Sequence, residues 1–415
     1  VKSGYKQTEV GVTPEDWEVK SVGDVCKLIN GRGFKPYEWK STGLPIIRIQ
    51  NLNGSKDFNY FDGLYAKKLE VESGQLLFAW SGSRGTSFGP HIWKGPIGLL
   101  NYHTWKVQIY ESQICKDFFL YALKQLTKYI EDRAHGASAL VHTQKWEMEA
   151  FKFPMPASAA EQHAIADALS DVEVLLGALD RLIAKKRDLK QAAIQQLLTG
   201  QTRLPGYHGE WKVKRLDQLA EIRSGGTPST TVAHFWDGDI PWCTPTDITS
   251  LGGRKYLSGT TRLITKLGLN SSSAEMIPAR SIIMTSRATI GECAINQIAV
   301  STNQGFKNFV PNETTDVEFL YYLLTTQKAQ FVGLCGGSTF LEIGKAQLTV
   351  FQVRLPNDKD EQIAISTILS DMDDEINALE QRRNKTRAIK QGMMQELLTG
   401  KTRLVDPIQA KAAEC

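Results

Sequence analysis

Residues 197–204 of this chain read LLTGQTRL and residues 397–404 read LLTGKTRL. A long repeated segment constrains a fold more than any composition figure, because both copies must form the same unit. The match continues at the same spacing. Glu161-Gln162 opens a segment containing Ala168-Leu169-Ser170-Asp171, and Glu361-Gln362 opens one containing Ile368-Leu369-Ser370-Asp371. Further back, EDWEVKSVGDV at 15–25 answers GEWKVKRLDQL at 209–219, and FFLYALKQL at 118–126 answers EFLYYLLTT at 318–326. Gly136-Ala137-Ser138 answers Gly337-Ser338-Thr339 loosely, and Gly4-Tyr5 echoes Gly206-Tyr207. Each copy is a globular stretch of roughly 140–150 residues, an ordinary domain size, followed by a long helical segment. The helical segments match well and the globular parts mainly at their edges. The two globular parts therefore do the same kind of work on different targets.

In the first helical segment, Ile165, Leu169, Val172, Leu176, Leu179 and Ile183 keep a 4-3 rhythm that resumes at Ala193 and Leu197. In the second, Ile365, Leu369, Met372, Ile376 and Leu379 keep it, with Met393 and Leu397 resuming. This is a heptad seam, one apolar stripe on a helix. Each segment stops at Thr-Gly, at 199–200 and 399–400, where glycine can take the left-handed cap. Helices of about 39 residues would be ~58 Å long. The matched register makes the other helix the natural partner, in an antiparallel pair. The alternative, each helix lying only on its own globular part, leaves a stripe this long overhanging. The end of the second helix is expected to return near the N-terminus, giving a near-cyclic plan. The boundaries expected are 1–158, 159–200, 201–357, 358–404 and a tail at 405–415.

The globular parts read as mixed α and β. Strand-like runs such as Pro45–Ile49 and Ile282–Met284 alternate with Gly-rich turns, and helices are expected over 117–131 and 316–330. The fold class is α+β: two mixed domains joined by two long antiparallel coiled-coil-like helices, with an internal pseudo-two-fold repeat. Polar loop residues carry the candidate chemistry. In the first copy these are Arg32, Lys35, Arg48, Asn51, Ser83 and Arg84, beside Trp80 and Tyr102. In the second they are Thr244, Thr246, Ser286, Arg287, Thr289 and Gln304. Arg can hold guanine, and Asn or Gln adenine, with two hydrogen bonds, while Ser, Thr and Lys suit phosphates. Each is as well explained as a turn former or a solvated side chain. Arg84 and Arg287 stand out because they fall at matching places in the two copies, each after a strand-like run and each followed closely by a glycine.

The net charge of +4 is only mildly basic, so nucleic-acid contact would come from local clusters. Six scattered cysteines (Cys26, Cys115, Cys243, Cys293, Cys335 and Cys415) show no C-x-x-C pair, which suits free thiols better than zinc or disulfides. The first residues lack a signal-type apolar core and no run is long enough to span a membrane, so a cytoplasmic protein is expected.

This ordered set resembles the specificity subunits of type I restriction–modification systems. It comprises the two helix-ending segments, Gly31-Arg32-Gly33-Phe34-Lys35-Pro36, Pro45–Leu52, Gly238-Asp239-Ile240-Pro241-Trp242 and Asn303-Gln304-Gly305. The resemblance covers nearly the whole chain and rests on the set, not on one motif. It implies two target-recognition domains, each reading one half of a bipartite, asymmetric site in double-stranded DNA. It implies helices that set the gap and dock two modification methyltransferase subunits. S-adenosylmethionine would then belong to those subunits, and ATP and Mg to two restriction subunits that can join. This chain would hold no cofactor or metal and catalyse nothing.

The residues agree with that expectation. No G-x-x-x-x-G-K-[ST] loop is present; at Gly344-Lys345-Ala346 the earlier position is Thr339. No Asn-Pro-Pro-aromatic or Asp-Pro-Pro-aromatic motif occurs. His91, His103, His135, His142 and His163 lack metal-ligand spacing. The acidic residues near Lys359 read as a charged turn. A rival reading keeps the same architecture but makes the chain a scaffold whose domains bind peptides. Salt-dependent binding to duplex DNA separates the two. A subunit of a fused or silent system is a third reading, which neighbouring genes would decide.

Overall fold

A computed structural model describes residues 3–133, 140–335 and 341–405. His135, the two Gly-Ser-like triplets at 136–138 and 337–339, and the expected tail beyond residue 405 lie outside the described residues. The chain forms two compact units. The first comprises Val1–Asp180 and Gln381–Cys415, the second Arg181–Glu380. Each thus holds one globular part, the first half of the long helix that follows it and the last half of the other long helix.

In the first unit, one antiparallel sheet runs in the order Gly89–Ile92, Leu76–Ala79, Thr104–Ile109, Cys26–Asn30. A second runs Tyr60–Phe61, Leu44–Ile47, Gly98–Leu100, Glu70–Val71, with a parallel pair at its centre, Leu99 beside Ile46. The helix Lys116–Arg133 buries Phe118, Phe119, Ala122 and Leu126 at helical spacing, in one core with Leu76, Phe78, Trp105 and Val107. Ile165 and Leu169 of the first long helix, and Leu397 and Leu398 of the second, enter the same core.

The second unit repeats the plan. Five strands run Ala220–Ser224, Phe306–Pro311, Ile282–Thr285, Cys293–Asn296, Tyr256–Leu257. Three run Arg262–Ile264, Trp236–Cys243, Ser301–Thr302, again with a parallel pair, Trp242 beside Ser301. The expected helix at 316–330 is two, Val317–Thr326 and Lys328–Gly333, meeting at Gln327. Leu197, Leu198, Ile365 and Leu369 from the long helices fill this core.

The long helices are Ala159–Leu197 and Lys359–Leu397, 39 residues each. Lys359 and its acidic neighbours, expected as a turn, open the second helix, where Asp360 and Glu361 face the positive end of the helix dipole. The seam is real. Ile165, Leu169, Leu179, Ile183, Ile365, Leu369 and Ile376 are buried, and Val172, Leu176, Met372, Leu379 and Met393 half-buried. Where the apolar rhythm lapses, charged residues continue it in antiparallel ion pairs. The first unit pairs Lys390 with Glu173 and Arg383 with Asp180 at 3.4 Å. The second pairs Lys190 with Asp373 and Lys186 with Glu375 at 2.6 Å. Both helices end as expected, with Gly200 and Gly400 at φ +72° and +70°.

The duplicated motifs make the same clasp twice. In the second unit, Arg203 grips the carboxylate of Glu361 through two nitrogens at 2.6 and 2.7 Å, and Trp211 donates its indole N–H to it at 3.3 Å. In the first unit, Arg403 grips Glu161, Trp17 donates at 3.2 Å, and Arg403 also pairs with Asp16 at 2.9 Å. Beside each glutamate, Gln162 and Gln362 accept a backbone N–H, from Cys115 at 2.7 Å and Asp316 at 2.9 Å. The segment after the second helix therefore does return to the N-terminal segment, within one unit. The tyrosine echo is looser: Tyr5 donates to the Gly400 carbonyl, and Tyr207 to that of Asp360.

One repeat is shifted by a residue. Tyr121 bonds Glu173 and Tyr322 bonds Asp373, so FFLYALKQL aligns with FLYYLLTT one position later than the letters suggest. Glu173 shows how such a site balances. Burial raises its pKa, but hydrogen bonds from Lys124 and Lys390 outweigh this and hold it below the usual carboxylate range.

Candidate nucleic-acid interface

The candidate residues sit on loops and short elements (Asn51 in helix Ile49–Leu52, Thr246 in helix Pro245–Ser250, Ser83 in strand Ser81–Ser83) built over a frame common to both units. Gly31 donates its N–H to Thr104, and Gly225 to Phe306. The next residue donates to the short parallel strand, Arg32 to Leu100 and Gly226 to Thr302, at 3.0 and 2.9 Å. A Cβ at Gly31 would lie 2.0 Å from the Asn101 carbonyl oxygen, and one at Gly225 would lie 1.9 Å from that of Asn303. Only glycine allows this approach. The hydrogen bonds therefore match Arg32 with Gly226, Tyr102 with Gln304 and His103 with Gly305.

The second shared feature is a capped turn after the central strand. The Asn51 amide oxygen accepts from the Arg48 backbone N–H at 3.0 Å, and the Asp247 carboxylate from that of Thr244 at 2.8 Å. Asn51 is 6% exposed, and its amide nitrogen donates to the carbonyls of Ser55 and Asp57, so it braces the loop. Asp247 is equally enclosed. Burial pushes its pKa up, but donors from Thr261 and Thr244 win and keep it below the usual carboxylate range. Arg48 donates to Asn59 at 2.9 Å and lies over the Trp39 ring. Thr244 gives its hydroxyl to Asp247, and Thr246 is exposed on the same turn.

The expected equivalence of Arg84 and Arg287 does not hold. Ala79 pairs with Thr104, and Thr285 with Phe306, so Arg287 stands two residues past its strand and matches Ser81. Arg84 stands five past, at the tip of the turn that follows Ser81–Ser83. The letters suggested equivalence because both copies carry Ser-Arg soon after an apolar run, whereas the first copy inserts a short strand paired with Leu140–His142. Arg287 is exposed and ion-paired to Glu342 at 2.8 Å, and the same carboxylate meets the buried Lys307 at 3.5 Å. Ser286 is fully buried, and its hydroxyl has no hydrogen-bond partner among the described residues. Thr289 is half-buried beside Thr285.

In the first unit, Arg32 pairs with Glu38 and lies over Phe34 and Phe61. Lys35 and Ser83 are exposed. Trp80, Tyr102 and His103 form one aromatic group, with the Trp80 indole N–H donating to the Tyr102 carbonyl at 2.9 Å. Burial holds His103 below the usual imidazole range. In the second unit, the Gly305 carbonyl accepts from the Ser286 N–H at 2.7 Å, and a Cβ at Gly305 would lie 3.9 Å from the Pro245 ring, so the segments that carry Gln304, Ser286 and Thr244 meet there. Reading the letters missed Thr227, Glu38 and Glu342. Glu38 lies six residues from Arg32 and was discoverable. Glu342 lies far along the chain from Arg287, and nothing local links them.

Among the described residues, no group of three or more His, Cys, Asp or Glu could hold a metal ion. Cys26, Cys115, Cys243, Cys293 and Cys335 are free thiols. No described helix is long and apolar enough to cross a membrane.

Comparison with known proteins gives a consistent picture. The family model described as type I restriction modification DNA specificity domain matches residues 14–185 and 208–387. The type I restriction enzyme MjaIX specificity subunit of Methanocaldococcus jannaschii is 37% identical over 167 residues, 40% of this chain and 38% of that protein. The putative MjaX specificity subunit of the same organism is 26% identical over 430 residues, covering 97% of both chains. Among solved structures, an S subunit from M. genitalium superposes with TM-score 0.57 at 16% identity, over 92% of this chain and 96% of that one. A chain from a study of type I system assembly and conformational transition gives TM-score 0.61 at 16% identity, over 94% and 99%.

Proposed function

The chain belongs to the type I restriction–modification DNA specificity family, and from that premise we propose that its two globular domains each read one half of a bipartite, asymmetric site in double-stranded DNA. The observation that carries this reading is a shared frame with unlike loops. Gly31 and Gly225, Asn101 and Asn303, and the Trp–Glu–Arg clasps are duplicated. The side chains that this frame presents differ: Arg32 against Gly226, Tyr102 against Gln304, Trp80 against Ser286. Two readers of the same build with different faces suit two different half-sites.

The long helices set the length of the unread gap and dock two modification methyltransferase subunits. A stiff spacer fixes the separation of two readers as dimer geometry fixes half-site spacing in other DNA-binding proteins. S-adenosylmethionine is then held by the modification subunits. Where restriction subunits join, ATP and Mg are held by them. The chain itself has no catalytic step, and the complex works in the cytoplasm. Arg32, Lys35, Arg48, Ser83, Arg84, Thr244, Thr246, Arg287, Thr289 and Gln304 supply the polar surface of the reading loops. Asn51 and Ser286 brace them from beneath.

A genome-wide adenine-methylation map tests the reading. The gene is left intact, deleted, or carries residues 211–356 replaced by another such domain. The expected result is loss of one bipartite motif on deletion and a change in one half only after the swap. Unchanged methylation in a strain whose modification subunits are active would overturn it.

A further inference from the structure

This inference rests on the second unit being a DNA reader. We propose that Gln304 is its adenine-reading residue, acting on the major-groove edge of one A·T pair, and that Thr227 positions it.

The backbone on both sides of Gln304 is fastened. Asn303 donates its N–H to the Cys243 carbonyl at 3.0 Å, and its carbonyl oxygen is seated against Gly225. The Asn303 amide oxygen accepts the Gly305 N–H at 2.9 Å, and the Gly305 carbonyl accepts that of Ser286 at 2.7 Å. The loop carrying Thr227 is tied as well, since Trp242 donates its indole N–H to the Gly226 carbonyl at 3.0 Å. A reading side chain needs this kind of rigid support.

Gln304 itself is exposed, and its amide oxygen accepts the Thr227 hydroxyl. That bond tethers the amide beside Thr227. A glutamine recognises adenine by accepting from N6 and donating to N7. The oxygen keeps a second lone pair for N6, and the amide nitrogen has two donors, neither engaged by a described residue. On the same frame in the first unit stands Tyr102, 47% exposed, which cannot make that bidentate pair. On the segments joined to the Gln304 loop, Thr246 and Arg287 are exposed and offer phosphate-type donors. The ion pair of Arg287 with Glu342 also limits how far that arginine can compete for the same base.

The test uses the full chain with its modification subunits, and reads the genomic methylation motif together with competition binding to duplexes carrying that motif. Gln304→Ala should relax a single adenine position in one half-site, leaving the other half and the gap unchanged. Discrimination at that base pair should fall on the order of ten- to a hundredfold. Gln304→Arg should move the preference at the same position towards guanine, a gain that misfolding cannot imitate. Thr227→Val should weaken discrimination at that position only, by less than Gln304→Ala. An unchanged motif with Gln304→Ala would overturn the proposal. So would a uniform loss of affinity across sequences with a shallower salt dependence, the mark of a phosphate contact. If the unaltered chain directs no bipartite motif while the same modification subunits work with another specificity chain, DNA reading itself is wrong.

Discussion

Arg403→Ala should uncouple the segment after the second helix from Glu161 and the N-terminal segment of the same unit. Glu161 is 1% exposed, and its carboxylate is held by the Arg403 guanidinium and the Trp17 indole N–H. Removing the arginine leaves a buried carboxylate with one neutral donor. Breaking a buried pair in this way costs about 3–5 kcal/mol. The further contact of Arg403 with Asp16, whose side chain is 44% exposed, adds at most about 1 kcal/mol. For a unit of this size, about 2–4 °C of melting temperature is lost per kcal/mol, so a fall of roughly 6–24 °C is expected. Calorimetry reads the fall, and hydrogen exchange by mass spectrometry should locate it in residues 3–180 and 381–405. Glu161→Gln removes the stranded charge, so the double variant Arg403→Ala/Glu161→Gln should melt higher than Arg403→Ala alone. A loss below about 1 kcal/mol, or no recovery in the double variant, would refute the claim that the buried charge sets the cost.

Two further outcomes follow from the same geometry. Gly225→Ala places a Cβ 1.9 Å from the Asn303 carbonyl oxygen and 2.5 Å from the Thr302 hydroxyl, so the loop must lift off its strand. A loss at or above the upper end of about 1–3 kcal/mol is expected in chemical denaturation, against almost none for Gly259→Ala, where nothing lies within 4 Å. Glu173 has a depressed carboxyl pKa, so its contribution to stability is complete above the unfolded-state value and is lost as pH falls through the folded-state value. Denaturation of Glu173→Gln between pH 7 and 3 should therefore show a flatter acid limb than the unaltered chain. An equally steep limb would assign that pH dependence to other carboxylates.

The letters alone established the duplication, the two helices with their seam and glycine caps, and the return of the second helix end to the N-terminal segment. These are properties of periodicity and repetition, which a linear chain displays openly. The long helices are predictable because one stripe repeated over ten turns leaves no other regular structure that buries it. The capping glycines are predictable because few residues accept positive φ.

Only the tertiary structure decided which residue matches which inside the globular parts. The partners that define the loops are distant in sequence: Gly31 with Asn101, Gly225 with Asn303, Arg287 with Glu342. Their pairing is a consequence of strand order, which hydrophobic pattern does not encode. Hence Arg84 and Arg287 looked alike and do not match, Asn51 looked like an open loop residue and is buried with its amide on the Ser55 and Asp57 carbonyls, and the tyrosines of the two shorter helices match one residue later than the letters align. The same reason explains why Thr227 went unnoticed. It is an ordinary turn threonine until the fold brings Gln304 to its hydroxyl.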